Sequence, residues 1–522
     1  RAAGGARAMS GSELLLPDEM TLRGAGEAIA ARMRTEDGVT CERDRIYYDT
    51  FDGLVRDAGL MLAHADGTLS LVSHDSGVVV ASLPMRAPTK PVFARDLPLG
   101  PLRETLLPII DVRALLPLVH LHSHERLLSV LDGERKTVVR LALEETSLVA
   151  SNGADAALRP RLRITGIRGY DKQLGQVQEQ LVAELGFKPA DQPLVDEAVR
   201  ATGGVPGGLP TKVGVPLRPD QRSDAAASVV LRGMLEVIEA NLEGTIADLD
   251  TEFLHDLRVS VRRSRSVQRE LKRVFPPDEL AHYRAEFRWL QQVTGDVRDL
   301  DVHVLEFDDM RALVPEAMRD DLDPLLRVLR ARRSAARRAM VRALRSKRTT
   351  TLLSDWGSFL EGLEAMPEDE RPYAARPIGE VSGERIRKVY RGMLKMGDAI
   401  DASSPAEAYH ELRKKGKELR YLLELFGVPL FPEEVVKPMV KSLKALQDVL
   451  GRHQDREVQT ALLRSLGPSV GEAAGGQAAL MAIGALVARL GEDERAARGE
   501  FAGRFAEFSS EEQRRLVKET FA

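Results

Sequence analysis

The chain has 522 residues, 75 Arg or Lys against 79 Asp or Glu, and a net charge of −4; that length admits two to four domains with their own cores. Its single cysteine, Cys41, excludes an intrachain disulfide and a cysteine-based zinc site, and fits a reducing cytoplasm. No apolar run approaches the ~18 residues a membrane-spanning helix needs, and residues 1–8 lack the apolar core of a signal peptide.

Residues 12–190 read as short β-like runs separated by turns. Segments 46–50, 69–72, 78–83, 126–131, 137–143 and 161–164 have strand length or alternation, and Asp66-Gly67, Asp75-Ser76-Gly77 and Asp132-Gly133 supply turn chemistry between several of them. Helical patterns interrupt at 25–33 and 174–185. This predicts an α+β domain, an antiparallel sheet or barrel with helices. Residues 191–219 are expected to be a linker, because 201–219 is dense in Gly and Pro with little apolar periodicity.

Helical periodicity dominates from 220 to 510. Helices are expected at 223–241, 254–274, 277–294, 323–345, 356–363, 381–398, 405–426, 434–450 and 476–490, an all-α bundle. One element recurs. His255, Arg258, Arg262 and Arg265 step by three, four and three residues, and His410, Arg413, Lys417 and Arg420 repeat those steps about 155 residues later. Each set lies on one helix face. Downstream, Leu290-Gln-Gln-Val-Thr-Gly295 with Asp299 is echoed by Leu446-Gln-Asp-Val-Leu-Gly451 with Asp455. The half is therefore a duplication, with copies near 220–375 and 376–510. A face of Arg, Lys and His lacking carboxylates suits an anion. A third basic segment, 327–348, holds ten Arg or Lys and no acid, Arg337 among them.

These paired His-x-x-Arg helices and Gly-x-x-(Arg/Gln)-Asp elements resemble the conserved histidine α-helical domain (CHAD), two duplicated four-helix bundles associated with binding inorganic polyphosphate. By motif, the resemblance implies His255, Arg258, Arg262, Arg265, His410, Arg413, Lys417 and Arg420 as ligand contacts. Arg263, Arg269, Arg298, Lys414, Arg452 and His453 flank them. Polyphosphate carries about one charge per phosphate and has no bases, so arginine forks with Lys and His⁺ suit it. Binding should be salt-sensitive, and with two histidines among the cations it should strengthen as pH falls.

Tyr47-Tyr48-Asp49-Thr50 resembles an element of the CYTH (triphosphate tunnel) family, a β tunnel that binds triphosphate. Glu144-Glu145 and Arg161-Leu162-Arg163-Ile164 resemble its later elements. That family opens with Glu-x-Glu-x-Lys, whose carboxylates hold the metal. Here the matching stretch is Glu13-Leu14-Leu15-Leu16-Pro17, with one acid and no Lys. The strand at 60–64 also lacks the family's alternating cations. Phosphoryl chemistry needs both groups, so no catalytic residue, metal or cofactor is expected. His120, His122 and His124 would share one strand face, and are read as a polar face rather than a metal site. The expected function is polyphosphate binding by a non-enzymatic cytoplasmic protein, with the resemblance adding polyphosphate granules. The rivals are a CYTH-type tripolyphosphatase and a nucleic-acid-binding protein. Scarce aromatics near the cations disfavour nucleic acid; no membrane partner is expected, and homo-oligomerisation is compatible with the reading.

Overall fold

The computed structural model describes residues 11–74, 77–149, 156–209, 214–401 and 403–521. Two compact units divide the chain, Arg1–Pro210 and Thr211–Ala522. In the first, alternating sequences form the antiparallel strands β1 (Gly11–Leu15), β2 (Thr35–Asp49), β3 (Leu60–Ala65), β4 (Thr68–Ser73), β5 (Val79–Pro84), β6 (Val92–Phe93), β7 (Ala114–Leu131), β8 (Thr137–Leu148), β9 (Ala156–Ala157), β10 (Arg161–Gly166) and β11 (Lys188–Pro189). The sheet order is β11-β1-β10-β8-β7-β2-β3-β4-β5, with β6 on β7 and β9 on β8. Helices α1 (Leu22–Arg32), α2 (Leu54–Asp57), α3 (Pro101–Ile110), α4 (Asp171–Ala183) and α5 (Leu194–Ala201) accompany it. The sheet's arrangement is consistent with a CYTH-like tunnel. Residues 75 and 76 of one expected turn lie outside the described residues.

Helix α5 corrects the expected linker at 191–219. Its Leu194, Val195, Ala198 and Val199 bury against Val119, Leu121, Leu148 and Leu158, and its Asp196 pairs with Arg56 at 2.7 Å. One eight-residue amphipathic helix is too short to stand out beside a Gly/Pro-dense stretch. Of the glycines that follow, Gly204, Gly207 and Gly208 are packed. A Cβ on Gly208 would fall 2.1 Å from the Phe51 carbonyl oxygen, and one on Gly53 2.1 Å from that of Gly207.

The second unit is helical: α6 (Ser223–Ala247), α7 (Thr251–Glu270), α8 (Pro277–Val293), α9 (Gly295–Leu305), α10 (Phe307–Ala312), α11 (Asp323–Leu344), α12 (Lys347–Gly362), α13 (Ile378–Gly397), α14 (Ala406–Leu422), α15 (Val428–Leu430), α16 (Glu433–Gly471), α17 (Gly476–Phe508) and α18 (Glu511–Thr520). Among the described residues no helix is long and apolar enough to cross a membrane. The copies share their cores. Leu231, Leu257 and Phe287 bury with Ile386, Leu419 and Leu443, while Phe307 and Leu325 bury with Leu466 and Leu486. The copies are related by an approximate twofold: Arg222 and Pro377, 155 residues apart, pair with each other in an antiparallel bridge just before α6 and α13. They differ at one hinge. Thr294 donates to the Leu290 carbonyl at 2.8 Å and interrupts the rod between α8 and α9. Its counterpart Leu450 is buried, and α16 runs on for 39 residues, well past the end expected at 450.

The Tyr47–Thr50 element has a structural task. The buried Asp49 carboxylate accepts the N–H groups of Thr50, Val55 and Arg56 at 2.7, 2.9 and 3.0 Å, holding the start of α2 onto β2. Tyr48 donates to the Pro88 carbonyl at 3.1 Å. Asp49→Ala leaves buried donors unmatched and should destabilise the sheet unit by about 2–4 kcal/mol, read by denaturant unfolding.

Candidate anion-binding site

Helix α7 starts at Asp250, whose carboxylate accepts from the N–H groups of Glu252 and Phe253 at 2.8 and 3.3 Å. Its Phe253, Leu254, Leu257, Val261 and Val267 are buried, which fixes the cationic side towards α14. Arg258 is 7% exposed; it donates to the Gln291 carbonyl at 2.8 Å and to Thr294 Oγ1 at 2.9 Å. Arg413, its counterpart, reaches Asp455 at 3.4 Å. Arg265 donates to Gln291 Oε1, and its counterpart Arg420 to Gln447 Oε1 at 3.1 Å and to Glu424 at 3.3 Å. His410 hydrogen-bonds Gln454, and His255 takes the matching place on α7.

The centre of this face is a concentration of like charge. Lys417 and Arg262, from different copies, have no ion-pair partner among the described residues. Burial, and then Arg413 and Arg262, push the Lys417 ammonium down to about 8. Burial, and then Arg262, push the Arg258 guanidinium down to about 10. Burial, followed by Arg288, Arg269 and Arg284, also lowers Arg265. Nearby carboxylates, Asp455 for Lys417 and Asp299 with Asp296 for Arg258, only partly offset this.

The flanking cations are arranged differently. Arg263 pairs with Glu424 at 2.7 Å and Arg269 with Glu418 at 3.4 Å. Adding 155 to Arg263 and Arg269 gives Glu418 and Glu424, so the two pairs are one contact repeated across the twofold with charges exchanged. Arg298 meets Glu252 at 3.1 Å, and Arg337 meets Asp248 at 3.2 Å and the Ile246 carbonyl at 2.8 Å. Lys414 pairs with Glu411 and Arg452 with Glu500. His453 is 2% exposed; it stacks on Tyr409 at 5.0 Å and meets Glu494 at 2.8 Å. These seven residues each reach an acid within the protein, most of them on another helix that one-dimensional spacing hides, while Lys414 meets Glu411 three residues away on its own helix.

Two buried acids escaped the sequence reading. Glu270 sits between Arg269, at 2.7 Å, and Arg385. It also meets Glu418. Burial opposes its ionisation, yet the two arginines hold it below the usual carboxylate range, while burial and Glu270 raise Glu418. Also unexpected is a run of cations on α13, Arg385, Arg387, Lys388 and Arg391; their helical spacing is visible in the sequence, but no histidine motif accompanies them.

The sheet unit holds a second charged cluster. Glu144 meets Arg45 and Arg163, each at 2.8 Å, and Glu125 meets Arg43, Arg45 and Arg163 at 3.2, 3.5 and 3.6 Å. Despite its burial, Arg45 and Arg163 lower Glu144; burial and then Glu144 raise Glu125. Glu13 pairs with Arg161 at 2.6 Å. His120 and His122 both face Asp44, at 3.5 and 3.1 Å. Among the described residues no three His, Cys, Asp or Glu side chains are placed to hold a metal ion.

Residues 229–464 match the model of the CHAD domain. The helical half carries a CHAD domain. The chain is 29% identical over 215 residues to two uncharacterized proteins of Mycobacterium tuberculosis, MT2285 (strain CDC 1551 / Oshkosh) and Rv2226 (strain ATCC 25618 / H37Rv), over 40% of this chain and 39% of each relative. The match thus spans well under half of those proteins. The solved CHAD domain from the plant Ricinus communis aligns with a TM-score of 0.48 and 27% identity, covering 56% of this chain and 95% of that one. PptA from Streptomyces chartreusis aligns with a TM-score of 0.42 and 16% identity, covering 55% and 99%.

The depressed Lys417 of this CHAD domain makes a stability prediction. Its folded pKa of about 8 lies below the ordinary 10.5, so the ammonium costs stability at neutral pH, and that cost fades as pH rises from about 8 to 10.5. Lys417→Met should stabilise the ligand-free protein at pH 7 by about 1–3 kcal/mol, with the advantage shrinking towards pH 10 or so, measured by denaturant unfolding of the helical unit across pH.

Proposed function

We propose that this protein binds inorganic polyphosphate along the facing cationic sides of α7 and α14. CHAD domains are associated with polyphosphate binding. The observation that carries the reading here is that Arg262 and Lys417, one from each copy, crowd with Arg258, Arg413 and Arg420 closely enough to depress Lys417 without an acid of their own. An unbranched chain of phosphates would meet that unmatched charge and leave the flanking ion pairs undisturbed. Arg258, Arg262, Arg413 and Arg420 supply forks for phosphate oxygens, and Lys417 a point charge.

The site favours phosphate over bases. The aromatic rings among its cations are occupied: Arg263 and Arg420 each lie 5.9 Å from the Tyr421 ring centre, and Arg348 lies 4.1 Å from that of Trp289. Little free ring face is left for stacking a base. In the sheet unit the arginines that could meet a triphosphate already face Glu125 and Glu144. This unit is proposed as a non-catalytic companion that releases no phosphate from tripolyphosphate with Mg²⁺. A cytoplasmic protein on polyphosphate granules is the setting that follows.

Calorimetric titration with long-chain polyphosphate tests the reading. Arg262→Glu with Lys417→Glu should weaken binding by at least about a hundredfold, from two lost charge-assisted contacts, with helicity unchanged; normal binding by that variant would overturn the reading. Lys417 also sets a pH dependence distinct from that expected of the histidines. A bound phosphate raises its pKa, so affinity is full below about 8 and falls as pH rises beyond it, with proton uptake on binding there. Titrations in buffers of different ionisation enthalpy read that proton; a flat affinity from pH 7 to about 10 would exclude Lys417 from the contact.

A further inference from the structure

A second basic depression of about 720 Å³ lies on the helical unit, lined by the end of α7, the turn at Lys272–Val274, Tyr373 and one side of α13. Its two carboxylates are already matched: Glu270 by Arg269 and Arg385, and Glu384 by Arg376 at 2.7 Å. Five further cations line it, Lys272, Arg273, Arg387, Lys388 and Arg391, and among the described residues none of these has a carboxylate within ion-pair distance. Arg387, Lys388 and Arg391 share one face of α13 by their spacing.

The duplication provides an internal control. With the offset of 155 set by the Arg222–Pro377 bridge, the counterparts of Lys388 and Arg391 are Gly233 and Glu236, and the stretch matching Lys272 and Arg273, Gly427-Val428-Pro429, carries no charge. The counterpart of Arg387, Arg232, has Glu361 at 3.7 Å. One copy folds without this charge, so packing and helix formation do not require it in the other. Concentrating five cations in a depression is electrostatically unfavourable unless an anion enters.

We infer that this depression binds a compact small molecule carrying at least three phosphoryl groups, at a site separate from the face between α7 and α14. Its volume lies within the range of small-molecule sites, roughly 300–1,000 Å³. The Arg387 and Arg391 forks suit paired phosphoryl oxygens, with Lys272 and Lys388 as mobile point charges. The recognised feature is the phosphoryl cluster rather than a base. Tyr373 lies between Arg273 and Arg376, whose guanidinium carbons are 4.3 and 4.7 Å from its ring centre, and its hydroxyl accepts from Arg273 at 3.0 Å. Inorganic triphosphate and a polyphosphorylated cyclitol share that chemistry, and ATP adds a base that the site should ignore.

The full chain is titrated calorimetrically with inositol hexakisphosphate, inorganic tripolyphosphate, ATP and long-chain polyphosphate. Lys388 and Arg391 are exposed, so K388E/R391E should keep its melting temperature. It should lose more than about tenfold in affinity for inositol hexakisphosphate, while long-chain polyphosphate binding changes less than about twofold. R262E/K417E should show the reverse. Tighter binding of tripolyphosphate than of inositol hexakisphosphate identifies a linear ligand, and the opposite order a ring. Unchanged inositol hexakisphosphate binding by K388E/R391E, or parallel loss of both ligand types in that variant, overturns the inference. If R262E/K417E leaves long-chain binding intact while K388E/R391E still loses the compact ligand, the polyphosphate face fails and the pocket stands. K388Q/R391Q, which removes charge without reversing it, should show a smaller loss in the same direction and guards against a folding artefact.

Discussion

Like charge held together without a matching anion is the constraint on which the helical half turns. The Lys417 ammonium lies among Arg262, Arg413 and Arg420, and its pKa is pushed to about 8. A surface lysine would swing into water and escape this repulsion. Here the stems belong to helices whose opposite faces are fixed in a shared core, Leu257 and Val261 on one side and Leu412 and Leu419 on the other. Hydrophobic burial thus holds the cations in place at an electrostatic cost, and an anionic chain would relieve it.

The duplication explains how the repulsion is contained. Around its centre, α7 is joined to α14 and the turn that continues it by two ion pairs related by the approximate twofold, Arg269 with Glu418 and Arg263 with Glu424. One copy has the acid where the other has the base, which is how a self-complementary contact becomes attractive on both sides. The charge that remains at the centre is therefore selective: the perimeter is neutralised while Arg262 and Lys417 are not. Where the copies diverge, as at Thr294 against Leu450 or along α13 against α6, the divergence changes what the surface can meet while the core is kept.

The sheet unit shows the opposite arrangement. Its arginines and glutamates lie within the same cluster, and Arg45 and Arg163 share Glu144. A buried network of this kind is weak support for stability by itself, since desolvation opposes the attraction. It does lower the field available to a phosphate, because each guanidinium already faces a carboxylate. The two units thus carry similar residue types with opposite consequences, decided by whether the acids stand among the cations.

Much of this was legible in the chain. The recurrence of His-x-x-Arg at matching steps, and of the Leu-Gln elements ending at Gly295 and Gly451, defines the duplication and both basic helices, because helical spacing alone puts those side chains on one face. The alternation of residues 12–190 defines a sheet for the same geometrical reason. Tertiary structure decided which cations remain without acids. Glu424, Glu418, Asp248, Glu500 and Glu494 are distant in sequence from most of the bases they meet, so spacing along one helix could not separate Arg262 and Lys417 from Arg263, Arg452 or His453. It also decided that residues 194–201 pack as a helix, and that cations on α13 face those after α7. Periodicity is a local property that a sequence carries whole; charge neutralisation depends on distances between helices, which exist only once the chain has folded.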